Sequence, residues 1–321
     1  MSPSTNTYDE PGLAPFPYRR LAAPKLYFIE KFGDYFATQR RSVKIDVLST
    51  FPAATSQVMH VRLKDNPGSI QEAVLKLYDR RWAGSIRQET QDKKATAPSL
   101  AAENAYASFV RSGKMHVFSL ALRQIYETAP DKHKPRAIDF YSDQSDGVER
   151  YEAAVWYEND QRFKTELQTY KQLESIQGNQ IPRLYAHVRI PVSFVGPGSS
   201  DGTAESEQFL CVHGLLLEYI PGPQFKDWVN RPNIGLTALA QRAVNSIFLI
   251  NDLGVLVQKC CDDVIVADDN NASVGGSKKP FIVGFAEARF KKDLIMNEIK
   301  QFKPSDLLAI KNLKERMDIA Y

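Results

Sequence analysis

The side chains best suited to chemistry lie between residues 252 and 289, where aspartates gather around a short, polar, Gly-rich segment. Asp262 and Asp263 are adjacent, and Asp268 and Asp269 follow a short apolar run. A carboxylate can orient an acceptor hydroxyl or bind Mg²⁺. Asp262 and Asp263 are therefore candidate catalytic or metal-binding acids. The alternative is that all of these acids are solvated turn residues, which is common in such segments.

The elements that must position these acids are a helix and a hairpin. Apolar residues recur at helical spacing from Leu236 to Ile250, and Gly254 is placed to end that helix. Residues 264–267 and 280–283 have strand composition, and a polar, Gly-rich turn joins them. This pattern predicts an antiparallel hairpin with a long loop.

Three strands are predicted before residue 80. Residues 43–47 and 58–63 alternate between apolar and polar side chains, and residues 73–78 follow a Pro-Gly turn. Strands that follow one another so closely predict an antiparallel meander. Lys76 lies within the third of them, and a lysine flanked by apolar residues is often one that snorkels at a sheet edge.

A helix and two further strands are predicted in the middle of the chain. Apolar residues at three- and four-residue spacing run from Phe163 to Ile176, and Gly178 is placed to end this helix. Glu166 lies within it, and a glutamate on a helix is most often solvated. Residues 186–195 and 209–219 then read as strands, the second of which ends in LLLEYIPG.

This ordered set of elements and motifs resembles the protein-kinase-like superfamily, in particular a degenerate, pseudokinase member. The segment from Glu166 to IPRLY resembles divergent fungal kinase-like proteins. The resemblance implies an α+β, two-lobe fold, with an antiparallel N-lobe sheet and one main helix above a small, mostly helical, compact C-lobe. It implies that Lys76, in AVLK, pairs with Glu166. If nucleotide binds, Leu217 is the gatekeeper, and the backbones of Glu218 and Ile220 face the adenine.

Several positions depart from the kinase pattern. The connection from 49 to 57 has no glycine, Lys259 stands where the catalytic aspartate is expected, and Gly284 replaces the main Mg²⁺-binding aspartate. Val264 falls at the metal-binding asparagine, unless the loop is one residue shorter and Asp263 takes that position. These departures imply a pseudokinase that binds an unknown protein partner, with ATP binding possible and Mg²⁺ binding not expected. The alternative is a divergent ATP-dependent phosphotransferase, acting on a protein or a small molecule, that uses Asp262 or Asp263.

The predicted organisation has three parts. Residues 1–24 form a flexible arm, residues 25–220 form the N-lobe, and residues 221–321 form a compact or truncated C-lobe. Within the N-lobe, residues 81–155 are an insertion between the third strand and the main helix. This insertion is either a partner-binding element or a structural decoration.

The composition is that of a soluble globular protein. The 321 residues are 43% hydrophobic and 25% charged, with a net charge of +3, so neither a nucleic-acid partner nor a membrane is expected. The three cysteines, of which Cys260 and Cys261 are adjacent, form neither a disulfide framework nor a spaced metal motif. With prolines and acids at the N-terminus in place of a signal peptide, we expect a cytoplasmic or nuclear location.

Overall fold

The structure is a computed structural model. The residues that it describes are 25–37, 39–51, 56–64, 70–87, 98–129, 134–142, 146–191, 204–227, 236–257, 263–268 and 278–294. They form two compact units: residues up to 161 with 186–216, and residues 162–185 with those from 217 onward.

Six strands form a closed, antiparallel barrel. They are β1 (Lys25–Lys31), β2 (Ser42–Phe51), β3 (Gln57–Lys64), β4 (Glu72–Tyr78), β5 (Leu184–Pro191) and β6 (Cys211–Glu218). Their order is β1-β2-β3-β4-β6-β5, and the pairing of β1 with β5 closes the sheet.

The predicted meander of β2, β3 and β4 is confirmed. Val47 pairs with Val61 across β2 and β3, and Val61 pairs with Ala73 across β3 and β4. Alternate side chains of β2 and β3 are buried, as the sequence pattern requires. The strand β1 was not predicted, because KLYFIEK lacks a clear alternation and Leu26 is its one buried residue.

Four helices of the described residues lie between β4 and β6 in the chain. They are α1 (Leu100–Arg111), α2 (Lys114–Thr128), α3 (Gly147–Gln172) and the single turn α4 (Ala204–Glu207). The Ser99 hydroxyl caps α1 by accepting a hydrogen bond from the Ala102 N–H at 3.1 Å. The first two helices lie within the predicted insertion, residues 81–155.

The predicted start of the main helix was wrong. We expected α3 to begin near Arg162, but it begins at Gly147 and therefore includes the last part of the predicted insertion. The reason is that the apolar stripe continues upstream through Tyr151, Ala154 and Val155, all of which are buried. The alternating charged residues of this stretch hid that stripe in the sequence.

Aromatic residues pack α1, α2 and the first half of α3 together. Trp156 contacts Phe209 with ring centroids 5.0 Å apart, and the Tyr106 hydroxyl donates a 2.9 Å hydrogen bond to the Phe209 carbonyl. Phe118 lies between two such clusters and contacts Phe109 edge to face at 5.9 Å. These three helical segments thus share hydrophobic clusters, one of which also includes Phe209.

A buried ionic cluster joins the chain after β4 to α1 and α3. Arg80 donates to the carboxylates of Glu152 and, at 2.7 Å, of Glu103, and Arg87 donates to Glu152 Oε1 at 2.9 Å. All four side chains are buried. Burial alone would raise the pKa of Glu152, but the charges of Arg87 and Arg80 outweigh it and lower that pKa. The pKa of Glu103 is raised by burial, which the charge of Arg80 only partly offsets.

The second unit contains α5 and four short strands. These are α5 (Leu236–Asp252), β7 (Val255–Leu256), β8 (Val264–Asp268), β9 (Lys278–Ile282) and β10 (Arg289–Phe290). The predicted hairpin is confirmed as β8 and β9, which pair antiparallel from Val264–Ile282 to Asp268–Lys278. The small β7–β10 sheet was not predicted.

Several predictions fall outside the described residues. They are the flexible arm, part of the connection without glycine, the loop that carries Lys259 and Asp262, and the last residues of the chain. Among the helices that are described, none is long and apolar enough to span a membrane.

Candidate functional site

The candidate site lies where the hairpin of β8 and β9 ends. Gly284 has φ +82° and ψ 54°, a left-handed conformation that favours glycine. A Cβ atom at Gly284 would lie 2.5 Å from Cγ of Asp263 and within 2.8 Å of both its carboxylate oxygens. The Asp263 carboxylate therefore occupies the space that any side chain at position 284 would need.

The backbone fixes Asp263 at this position. The N–H of Val283 donates a 2.8 Å hydrogen bond to the Asp263 carbonyl. The next residue, Val264, is a buried strand residue that pairs with Ile282. Of the two residues considered for the asparagine position, Asp263 is thus the one whose side chain lies against Gly284.

Helix α3 contacts the same region through an aromatic pair. The rings of Tyr170 and Phe285 meet edge to face with centroids 5.4 Å apart, and both side chains are fully buried. Burial raises the pKa of Tyr170 well above its usual value, and the nearby carboxylates of Glu166 and Asp263 raise it further. Its hydroxyl has no hydrogen-bond partner among the described residues.

Two polar contacts reinforce this packing. Arg162, on α3, lies 3.6 Å from the carboxylate of Glu287, two residues after Phe285. Farther along α3, the Gln172 side chain donates a 2.8 Å hydrogen bond to the Leu253 carbonyl, at the end of α5. The second half of α3 is therefore attached both to the hairpin end and to α5.

The segment predicted to face an adenine, at Glu218, is held by an arginine that sequence reasoning did not single out. Glu218 N–H donates to the Arg183 carbonyl at 2.9 Å, while the Glu218 carboxylate accepts from Arg183 N–H at 3.0 Å and from Nη1 at 2.6 Å. The Glu218 N–H is therefore already hydrogen-bonded within the protein. The IPRLY motif contains Arg183, but its partner is distant in sequence, so the local pattern gave no signal for this pair.

Leu217 and Ile220, which flank Glu218 and Tyr219, are core residues. Leu217 is buried, and Ile220 packs in a cluster with Ala267 and Phe281 of the hairpin. The backbone N–H of Ile220 has no backbone acceptor among the described residues. Gly222 is required next to it, because a Cβ there would lie 2.0 Å from the Val266 carbonyl oxygen.

Lys76 and Glu166 are both buried. Lys76 is 7% exposed and lies on β4, which has a neighbouring strand on each side, so it does not snorkel at a sheet edge. Glu166 is 0% exposed, so it is not a solvated surface residue. Lys76 belongs to the first compact unit and Glu166 to the second. Their pairing stays a prediction.

Among the described residues, the hairpin end offers one carboxylate, that of Asp263, to a nucleotide-bound Mg²⁺. Mg²⁺ bound with nucleotide takes oxygen ligands from one or two carboxylates in addition to the phosphates. Here Asp263 contributes one carboxylate and Gly284 none. Within the described part of the chain, no three His, Cys, Asp or Glu side chains are grouped so that they could hold a metal ion.

Comparisons with known proteins add little. No protein-family profile and no curated protein matches the chain. Among solved structures, it is similar to a Rio2 kinase–ADP/Mg²⁺–phosphoaspartate complex from Chaetomium thermophilum, with 10% identity and a TM-score of 0.42. The match covers 85% of this chain and 55% of the kinase, so the chain spans about half of that protein's length. A likeness this weak decides neither the fold nor the activity.

Proposed function

We propose that this chain is a kinase-like domain that has lost catalysis and acts by binding another protein. The order of its elements supports the proposal: a β-meander that carries a buried lysine, a long helix that carries a buried glutamate, two strands, a helix and a hairpin. In this proposal, residues 25–220 are the N-lobe and residues 221–321 the C-lobe. The resemblance of the IPRLY segment to divergent fungal kinase-like proteins is consistent with it.

One observation supports the proposed loss of catalysis most directly. At the end of the hairpin, where a kinase needs its main metal-binding aspartate, Gly284 has no side chain and Asp263 fills the space. Phosphoryl transfer depends on metal ions that neutralise charge on the β- and γ-phosphates. With a single carboxylate at this place, most of that electrostatic stabilisation is missing.

In this proposal, the chain keeps contacts that would organise a kinase domain. Tyr170 and Phe285 pack against each other and join α3 to the hairpin end. The buried charges of Lys76 and Glu166 need compensation in the interior, as a mutual ion pair would provide. A domain that keeps its internal packing without its metal ligands is suited to binding a partner rather than to turnover.

The second candidate is a divergent ATP-dependent phosphotransferase. The specific observation in its favour is again Asp263, because its carboxylate lies at the hairpin end where a metal ligand or an acid would be needed. Asp262, outside the described residues, would have to supply the second carboxylate.

The experiment that separates the two candidates is a phosphotransfer and ATP-hydrolysis assay with Mg²⁺ or Mn²⁺ on the purified chain. Our proposal predicts no turnover above that of an Asp263→Asn variant of equal stability. Metal-dependent turnover that is lost in Asp263→Asn, but kept in an exposed control such as Asp227→Asn, would establish the phosphotransferase instead.

A further inference from the structure

A polar cleft in the second unit lies apart from Gly284 and Asp263. Its volume is about 390 Å³, and it lies between α5, β9 and the turn at residues 179–180. The eight described residues that line it include two cations, Arg242 and Lys279, and no carboxylate. A cleft of this composition differs from ordinary small-molecule pockets, which are mostly apolar.

The cleft is built by a second face of α5. Its apolar face is buried through Leu239, Ala243 and Ile247. Four other positions, at three- and four-residue spacing, line the cleft instead: Arg242, Asn245, Ser246 and Leu249. Arg242, Asn245 and Leu249 are exposed along this face, while Ser246 is buried and its hydroxyl donates a 3.1 Å hydrogen bond to the Arg242 carbonyl.

The polar groups of the cleft are held in place. Arg242 Nη1 donates a 2.9 Å hydrogen bond to the Lys278 carbonyl at the start of β9. Gln241 donates to Asn245 Oδ1 at 2.9 Å, so the donor end of the Asn245 amide remains for a ligand. Lys279 lies on β9, with its ammonium 5.1 Å from the centre of the Phe281 ring. Both cations are therefore carried by regular secondary structure and contact other groups of the protein.

We propose that this cleft binds an acidic, extended segment of a partner protein. Arg242 and Lys279 would bind its carboxylates, the amides of Asn179, Gln180 and Asn245 would bind its backbone, and Leu249, 37% exposed, would contact one apolar side chain. The positive charge of the cleft supplies the complementarity that selects an acidic partner. This inference rests on the proposed protein-binding function and specifies the chemistry of the partner.

The test uses the full chain and a short, fluorescein-labelled peptide of glutamates with a central leucine, followed by fluorescence anisotropy. The same peptide with glutamine in place of glutamate is the ligand control. The protein variant is Arg242→Glu/Lys279→Glu. Its matched control, Lys44→Glu/Arg111→Glu, changes the net charge equally on exposed residues of the first unit.

We expect the glutamate peptide to bind, and salt to weaken that binding because exposed charges are screened. Reversal of both cleft charges should weaken it about tenfold or more, while the matched control leaves it unchanged. Absence of binding, equal loss in both double variants, or equal binding of the glutamine peptide would overturn the inference. If the chain shows no phosphotransfer, any of these results would overturn only the peptide-binding inference, and the proposed loss of catalysis would stand. Phosphotransfer activity would refute the proposed loss of catalysis, whether or not the peptide binds.

Discussion

The carboxylate of Asp263 lies against the α-carbon of Gly284, so close that a Cβ atom there would come within 2.5 Å of Asp263 Cγ. One residue has therefore taken the space left by the absent side chain of the other. This relationship makes position 284 sensitive to any added side chain, which can be tested directly.

Gly284→Ala should destabilise the protein by about 1 to 3 kcal/mol, because it adds a steric contact to an unfavourable left-handed conformation. Chemical denaturation measures this loss. In an Asp263→Ala background, the cost of Gly284→Ala should fall, since the steric part is removed while the backbone strain remains. A cost that is the same in both backgrounds would show that the two residues do not compete for space.

Substitutions at Tyr170 should separate the role of its ring from that of its hydroxyl. Tyr170→Phe should change the free energy of unfolding by about 0.5 kcal/mol or less, or stabilise the fold, because the buried hydroxyl has no hydrogen-bond partner among the described residues. Tyr170→Ala should cost about 3 to 5 kcal/mol, since it removes the ring that packs on Phe285. A large loss in Tyr170→Phe would contradict this interpretation.

The two buried glutamates of the ionic cluster should respond differently to amide substitution. Glu152→Gln should destabilise the fold by about 3 kcal/mol or more, because Arg80 and Arg87 both lose a buried carboxylate. Glu103→Gln should cost clearly less, since burial already opposes the ionisation of Glu103. The exposed pair of Arg62 and Glu72 is the control, and Arg62→Ala should cost about 1 kcal/mol or less. Equal losses of unfolding free energy in Glu152→Gln and Glu103→Gln would contradict the conclusion that the two glutamates differ in their contribution to stability.

Acid should destabilise the protein through Glu152. Because its folded-state pKa lies below the usual 4.5, its ionised form contributes stability that is complete above that pH and is lost as pH falls through the folded pKa. Glu103 has the opposite sign, since its pKa is raised, so protonation at falling pH relieves a cost. Below pH 4.5, the free energy of unfolding should therefore decrease less with falling pH in Glu152→Gln than in the parent chain. Denaturation curves recorded at several pH values measure this dependence. An unchanged pH dependence would refute this role of Glu152.

Local patterns predicted the elements whose pairing is local. The β2–β4 meander and the β8–β9 hairpin follow from alternation and turn chemistry between neighbouring segments. Strand β1 was missed because KLYFIEK lacks a clear alternation, although β1 pairs with the neighbouring β2 as well as with the distant β5. The start of α3 was missed because charged residues interrupt its apolar stripe.

The residues at the hairpin end could be named from the sequence for the same reason, whereas their roles stay predictions. Gly284 and Asp263 were identified from motif spacing, but a one-residue ambiguity left Val264 and Asp263 as alternatives. Only the register of the hairpin distinguishes them, since Val264 pairs with Ile282 and is buried. The bond between Arg183 and Glu218 and the cleft along α5 depend on segments that meet only in the folded chain.

The most direct test of the proposed loss of Mg²⁺-dependent chemistry is a thermal-shift titration with ATP, with and without Mg²⁺. A ligand that binds only the folded state stabilises it by about 2.7 kcal/mol at a hundred times its dissociation constant, which is enough to measure. We predict either no shift or a shift that does not depend on Mg²⁺. A shift that requires Mg²⁺, and that disappears in Asp263→Asn, would contradict the proposal and identify Asp263 as a metal ligand of a working site.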